Sequence, residues 1–422
     1  MDAEIIAVGS EMLTQDRVDT NSLYLTGKLN DLGIEVVTKC VIGDARDRLA
    51  DAVRRALSQT GIVILSGGLG PTEDDVTREA VAQALDRKLV FQPEIAAALE
   101  QRFLLMKRKM AEVNKRQAFL VEGAAMLPND RGTAPGQWIE ESGGVVMLLP
   151  GPPHELKAMF ERQCLPRLAR IVPKLAIRTI FYRVTGMPES DLDQLISPVY
   201  KKYENPATTI LAANGDLQIH LRARCGSEAE ADALLAEVAG PIELLLGDRL
   251  YSRNGDSLEV VVGDLLRKHL ATVAVAESCT GGMLGERFTS VPGSSDYFAG
   301  GFITYSNKMK MDLLGVPPEM LEEFGAVSRQ TAEAMAIGAR RRTGATYALS
   351  VTGVAGPDPD GESPVGTMYV GIADAAGAHV AHRQFLGDRQ RIRVFTTQMA
   401  LDLLRRRILG RLVADAPKPV AG

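Results

Sequence analysis

Apolar and polar positions alternate in two rhythms along the chain, and each change of rhythm marks a strand giving way to a helix. Short continuous apolar runs at Ala3–Val8, Ile62–Leu65 and Val145–Leu149 predict strands buried on both faces. Within Asn21–Leu32, Leu23, Leu25, Leu29 and Leu32 predict a helix, and Gly33 supplies its stop. Ile34–Val41 reads as a strand, Arg48–Ser58 as a helix and His154–Arg167 as another helix. Buried strands separated by helices predict a parallel sheet covered on both faces, in a domain that ends near Arg170.

The texture then changes. Arg178–Val184 alternates as a half-exposed strand, Ser190–Tyr203 is helical, and Thr208–Leu211 with Leu217–Ala223 predicts a hairpin around Asn214-Gly215. Glu228–Ala239 is a second helix, which completes a small α+β module. Tyr251–Gly255 is a polar junction. From Ser257 a helix leads to a strand at Thr272–Ala276, and strands recur at Tyr347–Val351 and Thr367–Ile372. Helices lie between and after them, including an amphipathic one over Asp388–Leu409, and the Pro/Ala-rich Ala414–Gly422 is expected to fray. Three domains follow, over 1–170, 171–252 and 253–422, which suits a chain of 422 residues.

Composition narrows the class. Apolar residues are 45% and charged residues 24%, as in ordinary globular proteins. With 48 Lys+Arg against 53 Asp+Glu the net charge is −5 and the signs are mixed, which argues against a dedicated nucleic-acid or anionic-membrane surface. No apolar run approaches the roughly 20 residues of a membrane span. Met1-Asp2-Ala3-Glu4 lacks the basic start of a signal peptide. The four cysteines (Cys40, Cys164, Cys225, Cys279) form no CxxC pair, so a reducing cytoplasmic setting is expected.

Two glycine turns carry candidate chemistry. Glu277-Ser278-Cys279-Thr280-Gly281-Gly282 lies between a predicted strand and a helix over Met283–Thr289. Such a turn can present a nucleophilic hydroxyl together with backbone N–H groups for an oxyanion, though a Ser or Thr before a helix equally serves as an N-cap. His269, His379 and His382 stand in no polar constellation, so the base must come from elsewhere. Thr304-Tyr305-Ser306-Asn307-Lys308-Met309-Lys310 offers two lysines, and burial lowers a lysine pKa toward the range where it acts as a base. Read on charge alone, both lysines also suit a solvated helix start.

The second turn, Ser66-Gly67-Gly68-Leu69-Gly70-Pro71-Thr72-Glu73-Asp74-Asp75-Val76-Thr77, also joins a strand to a helix. It is neither GxGxxG nor GxxxxGK[ST], so the dinucleotide and P-loop readings fail. Asp74 and Asp75 suit a divalent cation beside a phosphate, or helix capping.

Wider patterns add a resemblance. AESCTGG, GSSDYFAGGFITYSNKMK, SVTGVAGPDPDGESPVGTMYVG and FLGDRQRIR together resemble the nicotinamide-nucleotide amidohydrolase domain of the CinA family, over roughly Ser257–Leu409. The resemblance implies Ser278 as nucleophile, Lys310 as base with Lys308 as the competing candidate, and Tyr305 in support. It implies Thr280, Gly281 and Gly282 on the oxyanion side, Thr352 and Gly353 beside the substrate, and Arg389 and Arg393 toward a nucleotide phosphate. GSEMLTQDRVDTNSLYL, SGGLGPTEDDVTREA and LLPGPPHELKAMF resemble the molybdopterin-binding fold of MoaB/MogA in the version that opens CinA proteins, a three-layer αβα domain. Carried over, Gly67, Gly68, Gly70, Thr72 and Thr77 would surround a phosphate, with Glu11, Asn21, Pro150, Gly151, Pro152 and Glu155 nearby. Asp74 and Asp75 would be metal ligands (Mg, Mn or Co).

The middle segment resembles the KH-type linker domain of that family, yet it lacks a GXXG clamp between Arg178 and Leu250, so RNA binding is not expected. The fold class implied is α/β, with a small α+β domain between two larger ones. The activities implied are deamidation of nicotinamide mononucleotide, needing no cofactor, and metal-dependent hydrolysis of ADP-ribose, in a homodimer. Two alternatives stay open: a pterin-binding molybdenum-cofactor protein, and a non-enzymatic scaffold in competence or DNA damage.

Overall fold

The computed structural model describes residues 1–141, 143–172, 175–213 and 215–411, so the segment expected to fray lies outside the described residues. The chain divides into two compact units, one comprising Met1–Arg178 with Arg224–Asp232, the other Thr179–Ala223 and the chain from Ala233 onward.

The first unit is built on β1 (Asp2–Val8), α1 (Thr20–Asp31), β2 (Glu35–Ile42), α2 (Arg46–Gln59), β3 (Ile62–Ser66) and α3 (Thr77–Ala84). It continues with β4 (Leu89–Phe91), α4 (Pro93–Leu105), β5 (Phe119–Val121), β6 (Ala125–Leu127), β7 (Gly136–Glu141), β8 (Gly144–Leu149), α5 (Pro153–Met159) and α6 (Leu165–Ile171). Six strands form one sheet in the order β2-β1-β3-β8-β7-β6. β2, β1, β3 and β8 run parallel, and every residue of β3 is buried, as an apolar run covered on both faces requires. One face packs Leu49, Val53 and Ala56 of α2 against Val63 and Leu65; the other packs Leu25 and Leu29 of α1 against Ile5 and Ile64. Each fully buried Leu, Ile or Val among them contributes ~2 kcal/mol. Helix α1 starts where it does because the Asp19 carboxylate accepts the Ser22 N–H at 2.9 Å.

The sheet is not wholly parallel, as the apolar runs predict: β7 and β6 continue it antiparallel. Their sequence hides them, because buried Gln137 breaks the apolar pattern while satisfying both ends of its amide on Val121 N–H (2.8 Å) and Phe119 C=O (3.2 Å). The single helix expected over His154–Arg167 is interrupted by a π turn at Phe160–Cys164. Pro166, at the start of α6, lacks an N–H and crowds the preceding turn, which accounts for the change of register.

A four-stranded sheet follows, in the order β10-β11-β9-β12, from β9 (Ala176–Val184), α7 (Glu189–Tyr200), β10 (Ala207–Ala213), β11 (Asp216–Cys225), α8 (Glu228–Leu246) and β12 (Leu250–Ser252). β10 and β11 pair antiparallel, with Ala213 opposite Asp216. α8 runs past the expected stop at Gly240-Pro241. An interior proline costs about 3 kcal/mol, and the apolar face through Leu235, Val238, Ile242 and Leu246, all buried, offsets it.

The remainder holds α9 (Leu258–Lys268), β13 (Val273–Glu277), α10 (Met283–Thr289), β14 (Phe298–Ile303), α11 (Asn307–Leu314), α12 (Pro318–Phe324) and α13 (Arg329–Thr343). β15 (Tyr347–Gly353), β16 (Thr367–Asp374), β17 (Gly377–Gln384) and α14 (Arg389–Ile408) complete it. The sheet order is β14-β13-β15-β16-β17, with the first three strands parallel and the last two antiparallel. Parallel strands open a crevice at their carboxyl ends, and the ESCTGG turn leaves β13 at that end. No helix among the described residues is long and apolar enough to cross a membrane.

Candidate active site

The carboxyl end of β13 lies between those of β14 and β15 in the sheet, and the Ser278 N–H extends the ladder to Val351 C=O at 3.0 Å. The chain then turns sharply: Gly281 donates to Ser278 C=O at 3.1 Å, and Gly281 and Gly282 take φ of +58° and +100°. Side chains rarely adopt those angles, which is why the turn uses two glycines.

A residue that sequence reasoning passed over holds this turn. Glu277, 1% exposed, folds its carboxylate back on the start of α10. It accepts the N–H groups of Gly282 (3.0 Å), Leu284 (3.0 Å) and Gly285 (2.8 Å). A negative charge there also complements the positive end of the helix. The only sequence signal was an acid five to eight residues ahead of unpaired helix N–H groups.

The base candidates separate by helix phase. Ser306 caps α11 by accepting the Met309 N–H, which turns Lys310 inward and Lys308 outward. Lys310 is 1% exposed, and its Nζ lies 3.2 Å from Ser278 Oγ while donating to Thr304 C=O at 2.9 Å. Lys308 is exposed and pairs with Asp312 one turn along. Burial lowers the Lys310 pKa from its ordinary value, and among the described residues no carboxylate pairs with it to hold it charged. The neighbouring Cys279 thiol is pushed up to about 11 by burial, which keeps it protonated.

Tyr305, expected to support the pair, is 64% exposed, and no side-chain hydrogen bond joins it to Ser278 or Lys310 among the described residues. It stands just before the cap of α11 and faces outward. Thr352 is also engaged elsewhere: its hydroxyl donates to Ala326 C=O at 2.6 Å. Gly353 packs where a Cβ would lie 2.4 Å from Met368 Sδ, so its requirement is steric. Arg393 donates to Thr280 C=O at 2.6 Å and Arg389 to Gly356 C=O at 2.5 Å, bringing both to the site. The Arg393 Nε is buried without a partner, and so is the Thr280 hydroxyl.

The glycine turn of the first unit leaves β3 at the carboxyl end of its sheet. Thr77 Oγ1 donates to Gly67 C=O (2.8 Å), and buried Arg78 donates to Leu69 and Gly70 C=O (both 2.8 Å). Arg116 donates to Thr72 C=O at 3.0 Å. Asn21 reaches the turn from α1, donating to Ser66 Oγ (3.0 Å) and Gly151 C=O (2.7 Å), and its Oδ1 is buried and unpartnered. Glu11, exposed, lies over Gly9, whereas Glu155 accepts from Asn129 Nδ2 at 2.7 Å. Gly68 (φ +67°) packs where a Cβ would lie 2.2 Å from Thr77 Oγ1.

The acid pair expected to bind a metal does not fit a two-carboxylate cradle. Asp75 accepts from Gly70 N–H (2.8 Å), Thr72 N–H (2.9 Å) and the Thr72 hydroxyl (2.5 Å), so both of its oxygens shape the loop. Asp74 is exposed, with its carboxyl held below the ordinary value by the Thr72 hydroxyl. Among the described residues no three His, Cys, Asp or Glu groups cluster as a metal site.

A buried Ser–Lys pair on a glycine turn, at the crevice end of a mostly parallel sheet, is consistent with a hydrolase. Comparison with known proteins agrees. Residues 255–408 match the CinA C-terminal domain, 4–170 a probable molybdopterin binding domain, and 179–252 the KH domain of damage-inducible protein CinA. The chain is 77% identical to a CinA-like protein of Solibacter usitatus, over 97% of this chain and 99% of that one. It is 48% identical to a CinA-like protein of Koribacter versatilis, over 97% and 100%. The competence/damage inducible protein CihA from Agrobacterium tumefaciens, whose crystal structure is solved, shares 39% identity, covering 35% of this chain and 92% of that one with a TM-score of 0.34. The chain belongs to the CinA family.

Proposed function

We propose that the second unit hydrolyses the carboxamide of nicotinamide mononucleotide to nicotinic acid mononucleotide and ammonia. The observation that carries this reading is the 3.2 Å approach of Lys310 Nζ to Ser278 Oγ in a buried setting. Ser278 Oγ bonds to the amide carbon as its proton passes to neutral Lys310, and the carbonyl electrons move onto oxygen. When the C–N bond breaks, Lys310 returns that proton to the leaving ammonia. Water then enters by the same route and releases the acid. Such oriented proton transfer contributes 10²–10⁴-fold. Arg393, with its unpartnered Nε, supports recognition of the nucleotide phosphate.

In the first unit, the glycine turn and the Asn21 acceptor support a nucleotide site, and hydrolysis of the ADP-ribose pyrophosphate is the activity proposed there. No step is assigned to a cation, because Asp75 is part of the loop's own framework. The same acceptor would also suit a pterin, whose ring carries several N–H donors. The proposed molecule is a homodimer working on small nucleotides.

A substrate panel of nicotinamide mononucleotide, ADP-ribose and molybdopterin, with and without divalent metal, tests the reading. Ammonia release from the mononucleotide that persists in EDTA and disappears in Ser278→Ala is expected. Tight pterin binding without either hydrolysis would overturn it.

A further inference from the structure

The turn that carries Ser278 sits beside a helix start, and the natural assumption is that the glycine and helix N–H groups receive the oxyanion. The hydrogen bonds exclude that arrangement. The Gly281 N–H closes the turn on Ser278 C=O, and the Met283 N–H donates to Thr280 C=O at 3.2 Å. Those of Gly282, Leu284 and Gly285 all donate to the Glu277 carboxylate. Among the described residues, only the N–H groups of Cys279 and Thr280 in this turn donate to no other residue. These are the first two after the nucleophile. A donor directly following a nucleophile is geometrically suited to the oxygen of the carbonyl under attack.

We propose that Glu277 is the positioning residue of this turn: it occupies the helix N–H groups and thereby leaves those of Cys279 and Thr280 as the oxyanion donors. The proposal rests on Ser278 being the nucleophile. Glu277 also reaches the base through the backbone, since its C=O accepts the Thr304 N–H at 2.8 Å and the Thr304 C=O accepts from Lys310 Nζ at 2.9 Å. One residue thus joins the nucleophile turn to the segment that presents the lysine. When the Ser278–carbon bond forms, the carbonyl oxygen gains the electron pair, and the two free N–H groups are the ones placed to stabilise it.

Glu277→Gln tests the idea, because an amide nitrogen would face an N–H donor instead of accepting from it. On full-length protein turning over nicotinamide mononucleotide, kcat is expected to fall ~10²-fold with KM within about threefold, and Glu277→Asp should restore part of kcat. Phe288→Leu, on the buried face of the same helix, serves as the stability control. If it lowers the melting temperature as much as Glu277→Gln and kcat falls equally, Glu277 is merely structural and the proposal fails. A Glu277→Gln variant with unchanged kcat fails it too.

The Cys279 donor is read directly with [¹⁵N]cysteine-labelled protein and 3-pyridylboronic acid, which forms a tetrahedral serine adduct. The Cys279 amide proton should move downfield, and this movement should be lost in Ser278→Ala. An unmoved Cys279 amide in a formed adduct would overturn the donor assignment. If unsubstituted protein releases no ammonia and forms no adduct, the nucleophile reading has failed and this proposal falls with it.

Discussion

The two glycine turns of this chain use one device and reach different ends. Each leaves the carboxyl end of a buried strand, and in each an acid folds back to accept loop N–H groups: Glu277 those of Gly282, Leu284 and Gly285, and Asp75 those of Gly70 and Thr72. In the second unit the fold-back leaves a hydroxyl beside a buried amine. In the first unit the carbonyls of the turn are held by Thr77, Arg78 and Arg116, and among the described residues no nucleophile–base pair stands beside it. A carboxylate in a glycine turn is therefore weak evidence of a metal site until its acceptor positions are counted. Once they are, Asp75 reads as framework, and Ser278–Lys310 is the pair to which the proposed chemistry is assigned.

The largest effect that sharpens this contrast is expected at Ser278. Ser278→Ala should lower ammonia release by ~10⁴-fold or more and leave ADP-ribose hydrolysis within twofold, both followed in one preparation. Lys310→Met comes next. It should cost about 10³-fold in kcat without lowering the melting temperature, because a buried amine is replaced by an apolar chain of similar length.

The same lysine sets a pH dependence. Its pKa is lowered on folding, so the unfolded chain binds more protons between that lowered value and the ordinary 10.5. Stability should rise with pH across that window, and Lys310→Met should flatten the slope in pH-resolved thermal melts. The kcat/KM profile should rise with pH and level off below 10.5 as neutral Lys310 accumulates.

A smaller effect belongs to the other turn. Asp75→Asn should cost about 1–3 kcal/mol of stability in the first unit, since an amide replaces an acceptor of three donors. Ammonia release should not change. If that variant instead keeps full stability and loses only metal-dependent hydrolysis, Asp75 is a ligand and the contrast breaks. The smallest effect is expected at exposed Tyr305, where Tyr305→Phe should leave kcat within threefold.

Local patterns made much of this legible. The strand, turn and helix around Ser278 follow from an apolar run, two glycines and a short amphipathic stretch. The choice between Lys308 and Lys310 was also present in the spacing, because Lys310 and Leu314 share the buried face of α11 and Lys308 and Asp312 the exposed one. Buried Gln137 hid β7, and the glycines of Phe298–Ile303 hid the edge strand β14, since neither shows a clean apolar run. The roles of Glu277 and Asp75 were not legible, because a carboxylate that folds back on its own turn reads in sequence like one that faces solvent or a metal. Tyr305 shows the converse: a residue five positions before Lys310 lies on the outer side of the loop.

The Ser278–Lys310 assignment is tested most directly by acid-quenching the full-length protein during turnover of nicotinamide mononucleotide and mapping adducts by mass spectrometry. A nicotinoyl-ribotide ester on the Ser278 peptide, absent from Ser278→Ala and depleted in Lys310→Met, is the predicted result. Steady ammonia release by Ser278→Ala, with no adduct at Ser278 in the unsubstituted protein, would contradict it.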